Sequence, residues 1–292
     1  MDLSNKIVQW AMLILLGFIW GSSFILMKKG LLVYSHDEVA ALRISISYLC
    51  LLPFSIYYLR KIPKKNFKHL IIVGVFGSGI PAFLFTIAET QLTSSLAGML
   101  NSLTPFFTLI LGALLFKVTI KKEKTLGVII GLIGAVVLVV SNGIDFSNNQ
   151  LSYSFFIVAA TICYAISVNT IKKHLQDVHS VAITSISFLF IGIPAILYLF
   201  TTDFLTTTTS NPNASLSIFY IAILAIFGTV ISIIIFNNII KHTSAVFAST
   251  VTYLIPIFAI GWGVFDGEAI HLIQLIAIFI ILIGIYFINK IK

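Results

Sequence analysis

Apolar runs of membrane-crossing length fill nearly all of this sequence, and no other feature limits its possible folds so strongly. Ten can be read along the 292 residues, near 7–27, 37–59, 68–89, 94–116, 124–141, 152–171, 180–201, 216–240, 244–265 and 270–289. A run of roughly 20 apolar residues is enough to cross the hydrocarbon of a bilayer. The chain is 59% hydrophobic and 10% charged, whereas a soluble domain carries about 25% charged residues. So few charges cannot cover a water-facing surface, so the outer surface must face lipid. The longest polar stretch, from Thr201 to Ser215, leaves little room for a soluble domain. The first run is longer than the roughly 7–15 apolar residues of a secretory leader, and its pattern returns later, so it is expected to remain as a span. The predicted fold class is an all-α integral membrane protein with ten transmembrane helices.

A net charge of +8 would suggest nucleic acid if it were clustered on a soluble face. Its placement points elsewhere. With the N-terminus in the cytoplasm, that side carries Lys6, Arg60, Lys61, Lys64, Lys65, Lys68, Lys117, Lys121, Lys122, Lys124, Lys172, Lys173, Lys241, Lys290 and Lys292. The other side carries only Lys28 and Lys29, together with Asp37, Glu38, Asp145, Asp203, Asp266 and Glu268. This is the positive-inside asymmetry at every loop but the first. It predicts a multi-pass protein of the cell (inner) membrane with cytoplasmic termini, in contact with the lipid bilayer and not with nucleic acid. The histidines lie at span ends or in loops without metal-ligand spacing. Cys50 and Cys163 sit inside apolar runs as small packing residues. No metal and no cofactor is expected, and no phosphate-binding glycine loop for ATP is present.

The spans repeat. Ser94–Phe116 returns as Ala245–Gly267, with Ala97 on Ala248, Pro105 on Pro256, Phe107 on Phe258 and Gly112 on Gly263. Phe18–Gly30 returns as Ile162–His174, with Trp20 on Tyr164, Ser23 on Ser167 and the Lys28–Lys29 pair on Lys172–Lys173. Gly77 and Phe85 fall on Gly228 and Phe236. Two five-span repeats are therefore expected, over residues 1–145 and 146–292. An odd span number makes the second enter the membrane from the opposite side, around a shared central cavity. The inversion also explains Lys28–Lys29, the outer copy of a pair that is cytoplasmic in the other repeat.

The Trp20–Phe24 segment WGSSF, the LTP and LIP segments ending at Pro105 and Pro256, and the paired five-span halves together resemble the drug/metabolite transporter superfamily, and more narrowly its EamA-type ten-span members. The likeness runs through nearly the whole chain. Glu268 matches an acidic position usual after span 9, whereas Lys117 and Val118 depart from the pattern after span 4. The resemblance implies a cavity lined mainly by spans 1, 3, 4, 6, 8 and 9, opening to one side at a time. It also implies a small-molecule substrate, such as an amino acid or other metabolite.

Polar residues deep in spans are costly unless they face other helices or a cavity. Trp20 and Ser23 on span 1, with Tyr164 and Asn169 on span 6, combine aromatic stacking with hydrogen bonding. The alternative is a tight seam at Gly17-xxx-Gly21. Arg43 is the basic residue well within a span. It either snorkels and pairs or sets the cavity's electrostatics. Glu89 is expected at similar depth, as an ion-pair partner of Arg43 or a proton site. Pro105 and Pro256 each lack the N–H that would bond four residues back, which frees carbonyls at Asn101 and Thr252. The two prolines are gating candidates, and Asn101, Thr252 and Tyr253 are cavity candidates. Asn237 and Asn238 are placed toward the solvated cytoplasmic end of span 8. Gly127, Gly131 and Gly134 read as close helix packing, within the chain or between subunits; monomer and homodimer stay open.

The resulting expectation is a secondary transporter, an exporter of small organic metabolites working by alternating access. Coupling to protons or a counter-substrate is left open. An intramembrane enzyme would need a nucleophile and base, paired carboxylates or metal ligands at depth, and none is present. A non-transporting sensor would need larger loops or a soluble domain.

Overall fold

The computed structural model describes residues 5–119, 121–141, 150–265 and 272–290. Among these, every regular element is helical. The first two are α1 (Lys6–Leu31) and α2 (His36–Leu59). A π-helical turn, Val75–Gly79, joins α3 (Phe67–Gly74) to α4 (Ile80–Ala88), and a 3-10 turn, Asn101–Leu103, joins α5 (Ser94–Leu100) to α6 (Thr104–Leu114). Then come α7 (Lys122–Ser141), α8 (Gln150–His174), α9 (Ser180–Leu199) and the short α10 (Phe204–Ser210). A second π-helical turn, Ile226–Ile231, joins α11 (Ala214–Ala225) to α12 (Ser232–His242). The chain closes with α13 (Ala245–Ser249), α14 (Val251–Phe265) and α15 (Leu272–Lys290).

Among the described residues, eight helical stretches are long and apolar enough to cross a membrane: Lys6–Leu31, His36–Leu59, Lys64–Ala88, Ser94–Leu114, Leu151–His174, Ser180–Leu199, Ala214–His242 and Ala245–Trp262. Their outward faces carry exposed large apolar side chains such as Phe18, Phe54, Leu114, Phe155, Leu197 and Phe219. Water would not tolerate so many, and lipid requires them. Interior positions are mixed. Leu13, Leu16, Met99, Ile183 and Tyr253 belong to one buried apolar cluster, and Phe24, Val39, Phe85 and Phe188 to another.

Several helix starts are fixed by side-chain caps. Thr93 Oγ1 accepts from the Leu96 N–H at 3.2 Å, and Ser244 Oγ accepts from the Phe247 N–H at 3.1 Å. Each satisfies a donor that the first turn leaves without an intrahelical partner. These caps start α5 and α13, the repeat-matched helices that carry Ala97 and Ala248. At the start of α2 the Ser35 N–H donates to Glu38 at 3.0 Å, which spends that acid on capping.

The helices pack in crosswise sets: α2 on α9, α1 on α14 and α11, α8 on α4 and α6, and α7 on α15. Loops also meet. Tyr34, after α1, hydrogen-bonds Thr208 in α10 at 3.0 Å. Tyr58, at the end of α2, stacks on His179, before α9, with ring centroids 6.0 Å apart. Asp145, Asp266 and Glu268, on which part of the charge pattern rests, lie outside the described residues.

Candidate functional site

The crosswise packing leaves a cavity of about 1140 Å³, part of it open to solvent. Its walls come from α1, α2, α3 and α4 with the π turn between them, the 3-10 turn and α6, α8, α9, the second π turn with α12, and α14. The resemblance led to six contributing spans. α2, through Arg43, and α9, through Thr184, Ser187 and Phe188, join them.

Two glycines let the walls close in. A Cβ on Gly228 would lie 2.6 Å from Ser23 Oγ, and one on Gly77 would lie 2.5 Å from Ser167 Oγ. α1 thus presses its serine into the π turn between α11 and α12, and α8 presses the matching serine into the π turn between α3 and α4. A π turn leaves carbonyls out of register with the ladder. Trp20 Nε1 donates to the Gly228 carbonyl at 2.9 Å, which fixes the indole at the cavity wall. Aromatic contacts repeat this cross-pairing. Trp20 meets Phe236 edge-on at 5.1 Å, and Tyr164 stacks on Phe85 at 6.0 Å.

Of the residues singled out from sequence, Trp20, Ser23, Arg43, Asn101, Tyr164 and Thr252 line this cavity. Asn169 and Tyr253 are placed elsewhere. Asn169 is buried against Gly112 and donates to the Thr108 and Ala165 carbonyls, both at 2.9 Å. Tyr253 is fully buried against Gly131, and its hydroxyl donates to the Val128 carbonyl at 3.2 Å. Both are packing residues between helices.

The carbonyls expected to be free near the prolines already have donors. Thr104 Oγ1 donates to the Asn101 carbonyl at 2.8 Å, and Ser102 Oγ donates to the Thr252 carbonyl at 3.1 Å. The second bond ties span 4 to span 9. Asn101 and Thr252 therefore meet the cavity through their side chains. Pro105 is the second residue of α6, and Pro256 lies inside α14.

Arg43 Nε donates to Thr229 Oγ1 at 2.8 Å. A guanidinium has five N–H donors, so most remain for other partners. Among the described lining residues, Arg43 is the one charged side chain. Glu89 does not reach it by a hydrogen bond: both carboxylate oxygens are buried without a hydrogen-bond partner among the described residues.

Sequence reasoning missed Ser78, Thr184 and Thr229 and placed Asn237 in solvent. Asn237 is buried, lines the cavity, and donates to Thr184 Oγ1 at 3.0 Å. A signal was available, since the Gly77–Ser78 pair falls on Gly228–Thr229 at the offset of the other matches.

Comparisons with known proteins find the same fold and similar sequences. A solved crystal structure superposes over 98% of both chains with a TM-score of 0.75 at 15% identity, a likeness of fold. An uncharacterized transporter of Archaeoglobus fulgidus is 25% identical, over 97% of this chain and 99% of its own. The uncharacterized inner membrane transporter YedA of Escherichia coli K12 is 24% identical over 91% of this chain and 86% of its own. A probable amino-acid metabolite efflux pump of Salmonella typhimurium is 23% identical over 92% of this chain and 90% of its own. The EamA-like transporter family matches twice, over residues 8–140 and again over 151–290. With both matches falling on the helices that enclose the cavity, the chain belongs to the EamA-like transporter family.

Proposed function

We propose that this protein is a secondary transporter of the inner membrane that exports small organic metabolites, amino acids among them. The observation that carries the reading is the cavity itself: a polar and aromatic pocket inside an otherwise lipid-adapted helical protein. A hydrated, ligand-sized space with a few polar groups in an apolar wall is what an organic solute needs. The efflux-pump relative supports the direction and the substrate class.

The arrangement we infer has ten spans, with α7 as the fifth and α15 as the tenth, in two inverted repeats over 1–145 and 146–292. Reciprocal contacts support it. Ser23 with Gly228 mirrors Ser167 with Gly77, and α1 on α14 mirrors α8 on α6. Two such halves around one site can rock between two open faces. In this reading Trp20, Ser23, Asn101, Tyr164 and Thr252 contact the solute, and Arg43 sets the cavity's charge. The helix breaks before Pro105 and Pro256 absorb the motion.

The test is efflux from proteoliposomes loaded with a mixed pool of amino acids and small metabolites. Wild type is expected to release a small subset selectively, and Trp20→Ala and Asn101→Ala to slow that release at least about tenfold, the equivalent of 1.4 kcal/mol. A folded wild-type protein that releases nothing from the pool would count against the reading.

A further inference from the structure

Glu89 is unusual among the described acidic residues. It is 8% exposed, and neither carboxylate oxygen has a hydrogen-bond partner among the described residues. Its position is set by its helix: the Glu89 N–H donates to the Phe85 carbonyl at 2.9 Å, one turn back. Residues one turn apart share a helix face, and Phe85 lines the cavity. Glu89 therefore stands one turn beyond the cavity wall on the cavity's side. The charged groups that act on it are Arg43 from α2 and Lys28 from α1. Tyr164 from α8 and Glu89 act in turn on Arg43.

An ionised carboxylate buried without hydrogen bonds is costly unless a cation is near. Of the two cations that act on Glu89, Lys28 does not line the cavity and Arg43 does. Its Nε is taken by Thr229, and its remaining N–H donors suit a carboxylate, for which the guanidinium fork is shaped. The cavity wall around it is aromatic, with Trp20, Phe24, Phe85, Tyr164, Phe188 and Phe236. A ligand with a carboxylate head and an apolar body matches both parts. When its carboxylate docks on Arg43, two negative charges share one cation. Like charges so placed favour protonation of one of them. The ligand's carboxylate would be held by guanidinium donors and Glu89's is not, so the proton goes to Glu89.

We propose that the cavity takes an amphipathic monocarboxylate through Arg43, and that Glu89 takes up one proton as it binds, so that solute and proton are carried together. This rests on the transporter reading above. The balance is simple: Glu89 gains a proton from water on loading and returns it on the side where the solute leaves. A monoanion then moves with one proton and no net charge. Proton and solute would bind cooperatively, the reverse of the competition that drives exchange.

The test uses the full-length protein in detergent and two matched probes, N-acetylphenylalanine and its carboxamide. Calorimetric titration between about pH 6 and pH 8, where a simple carboxylic acid stays ionised, measures affinity. Repeating it in buffers of different ionisation enthalpy counts protons without any variant. The acid is expected to bind at least about tenfold tighter than the amide, to take up a proton, and to weaken toward tenfold per pH unit as pH rises. Glu89→Gln should bind the acid at all these pH values without proton uptake, and Arg43→Gln should lose the preference for acid over amide. In liposomes, flux of the acid should ignore membrane potential in wild type and respond to it in Glu89→Gln. Equal binding of acid and amide, binding of neither, or pH dependence that survives in Glu89→Gln would overturn the assignment. The mixed-pool efflux assay judges the transporter reading separately, because it depends on neither probe.

Discussion

Ser23 and Ser167 show how much of this protein is decided by single atoms. Ser23 Oγ donates to the Ile19 carbonyl at 2.8 Å, so it cannot swing aside freely from Gly228. Gly228→Ala is expected to cost about 1–3 kcal/mol by overpacking, read as a lower unfolding temperature in detergent. Adding Ser23→Ala should recover most of it, because the nearest Ser23 atom is then Cβ at 3.7 Å. The same pair in the other half, Gly77→Ala with Ser167→Ala, should recover less, since Ser167 Cβ stays at 3.2 Å. Trp20→Phe keeps a ring at the wall but strands the Gly228 carbonyl, and should cost about 1–3 kcal/mol by the same measurement. The residue scale is also where the sequence was hardest to read. Asn169 follows Ser167 by two positions, about 200° around a helix, so it turns away from the cavity that Ser167 lines. Tyr253, about 100° from Thr252, is turned into the helix seam. Polarity marked these residues as candidates, but their helical phase relative to the cavity appears only once the neighbouring helices are placed.

Whole elements were more legible. The apolar runs anticipated the helices, and Gly77 and Gly228, aligned with each other in the sequence, both fall in π turns. The two π turns, Val75–Gly79 and Ile226–Ile231, carried no signal beyond their glycines, because a π turn answers to the packing of a neighbour and not to local propensity. The Gly127-xxx-Gly131 pattern gave close packing without its partner. That partner is α15, for a Cβ on Gly284 would lie 2.5 Å from the Gly131 backbone N, and one on Gly127 would lie 2.7 Å from the Gly284 carbonyl O. The seam is thus occupied within the chain. Backbone atoms cannot rotate away as a serine can, so Gly284→Ala is expected near the upper end of the roughly 1–3 kcal/mol overpacking range. Lys117 ends its segment at φ 53°, where a side chain is strained. Lys117→Gly relieves that strain at some cost in chain entropy, and should stabilise by about 0.5–1 kcal/mol, raising the unfolding temperature without affecting efflux.

At the scale of the molecule, the ten-span reading turns on whether α7 crosses the membrane, and loop contacts bear on it by parity. The loop after α1 meets α10 through Tyr34 and Thr208, and the end of α2 meets the loop before α9 through Tyr58 and His179. Those contacts need the loops after spans 1 and 7 on one face, and the loops after spans 2 and 6 on the other. Both hold when an even number of crossings separates α6 from α9. With α8 alone crossing, the count is one and the contacts fail; with α7 crossing as well, they are met. The direction of α8 decides this. Lys173, at its far end, donates to the Phe116 carbonyl just past the end of α6, so α8 ends on the face where α6 ends, and must begin on the other. A crossing by α7 between them accounts for this, in line with the ten-span arrangement proposed above. The glycine seam adds that α15 runs antiparallel to it, since Gly127 meets Gly284 and Ile288 while Gly134 meets Ala277 and Ile281. The lysine distribution predicts a cytoplasmic Lys65 face. Single cysteines at the exposed positions 65 and 209, with Cys50 and Cys163 replaced by Ala, turn this into a labelling experiment. A membrane-impermeant maleimide on intact cells should label Thr209→Cys, and reach Lys65→Cys only after permeabilisation. Labelling of both from outside would leave the inverted arrangement without its geometry, and equal protection of both would mean that α10 does not lie on the outer face.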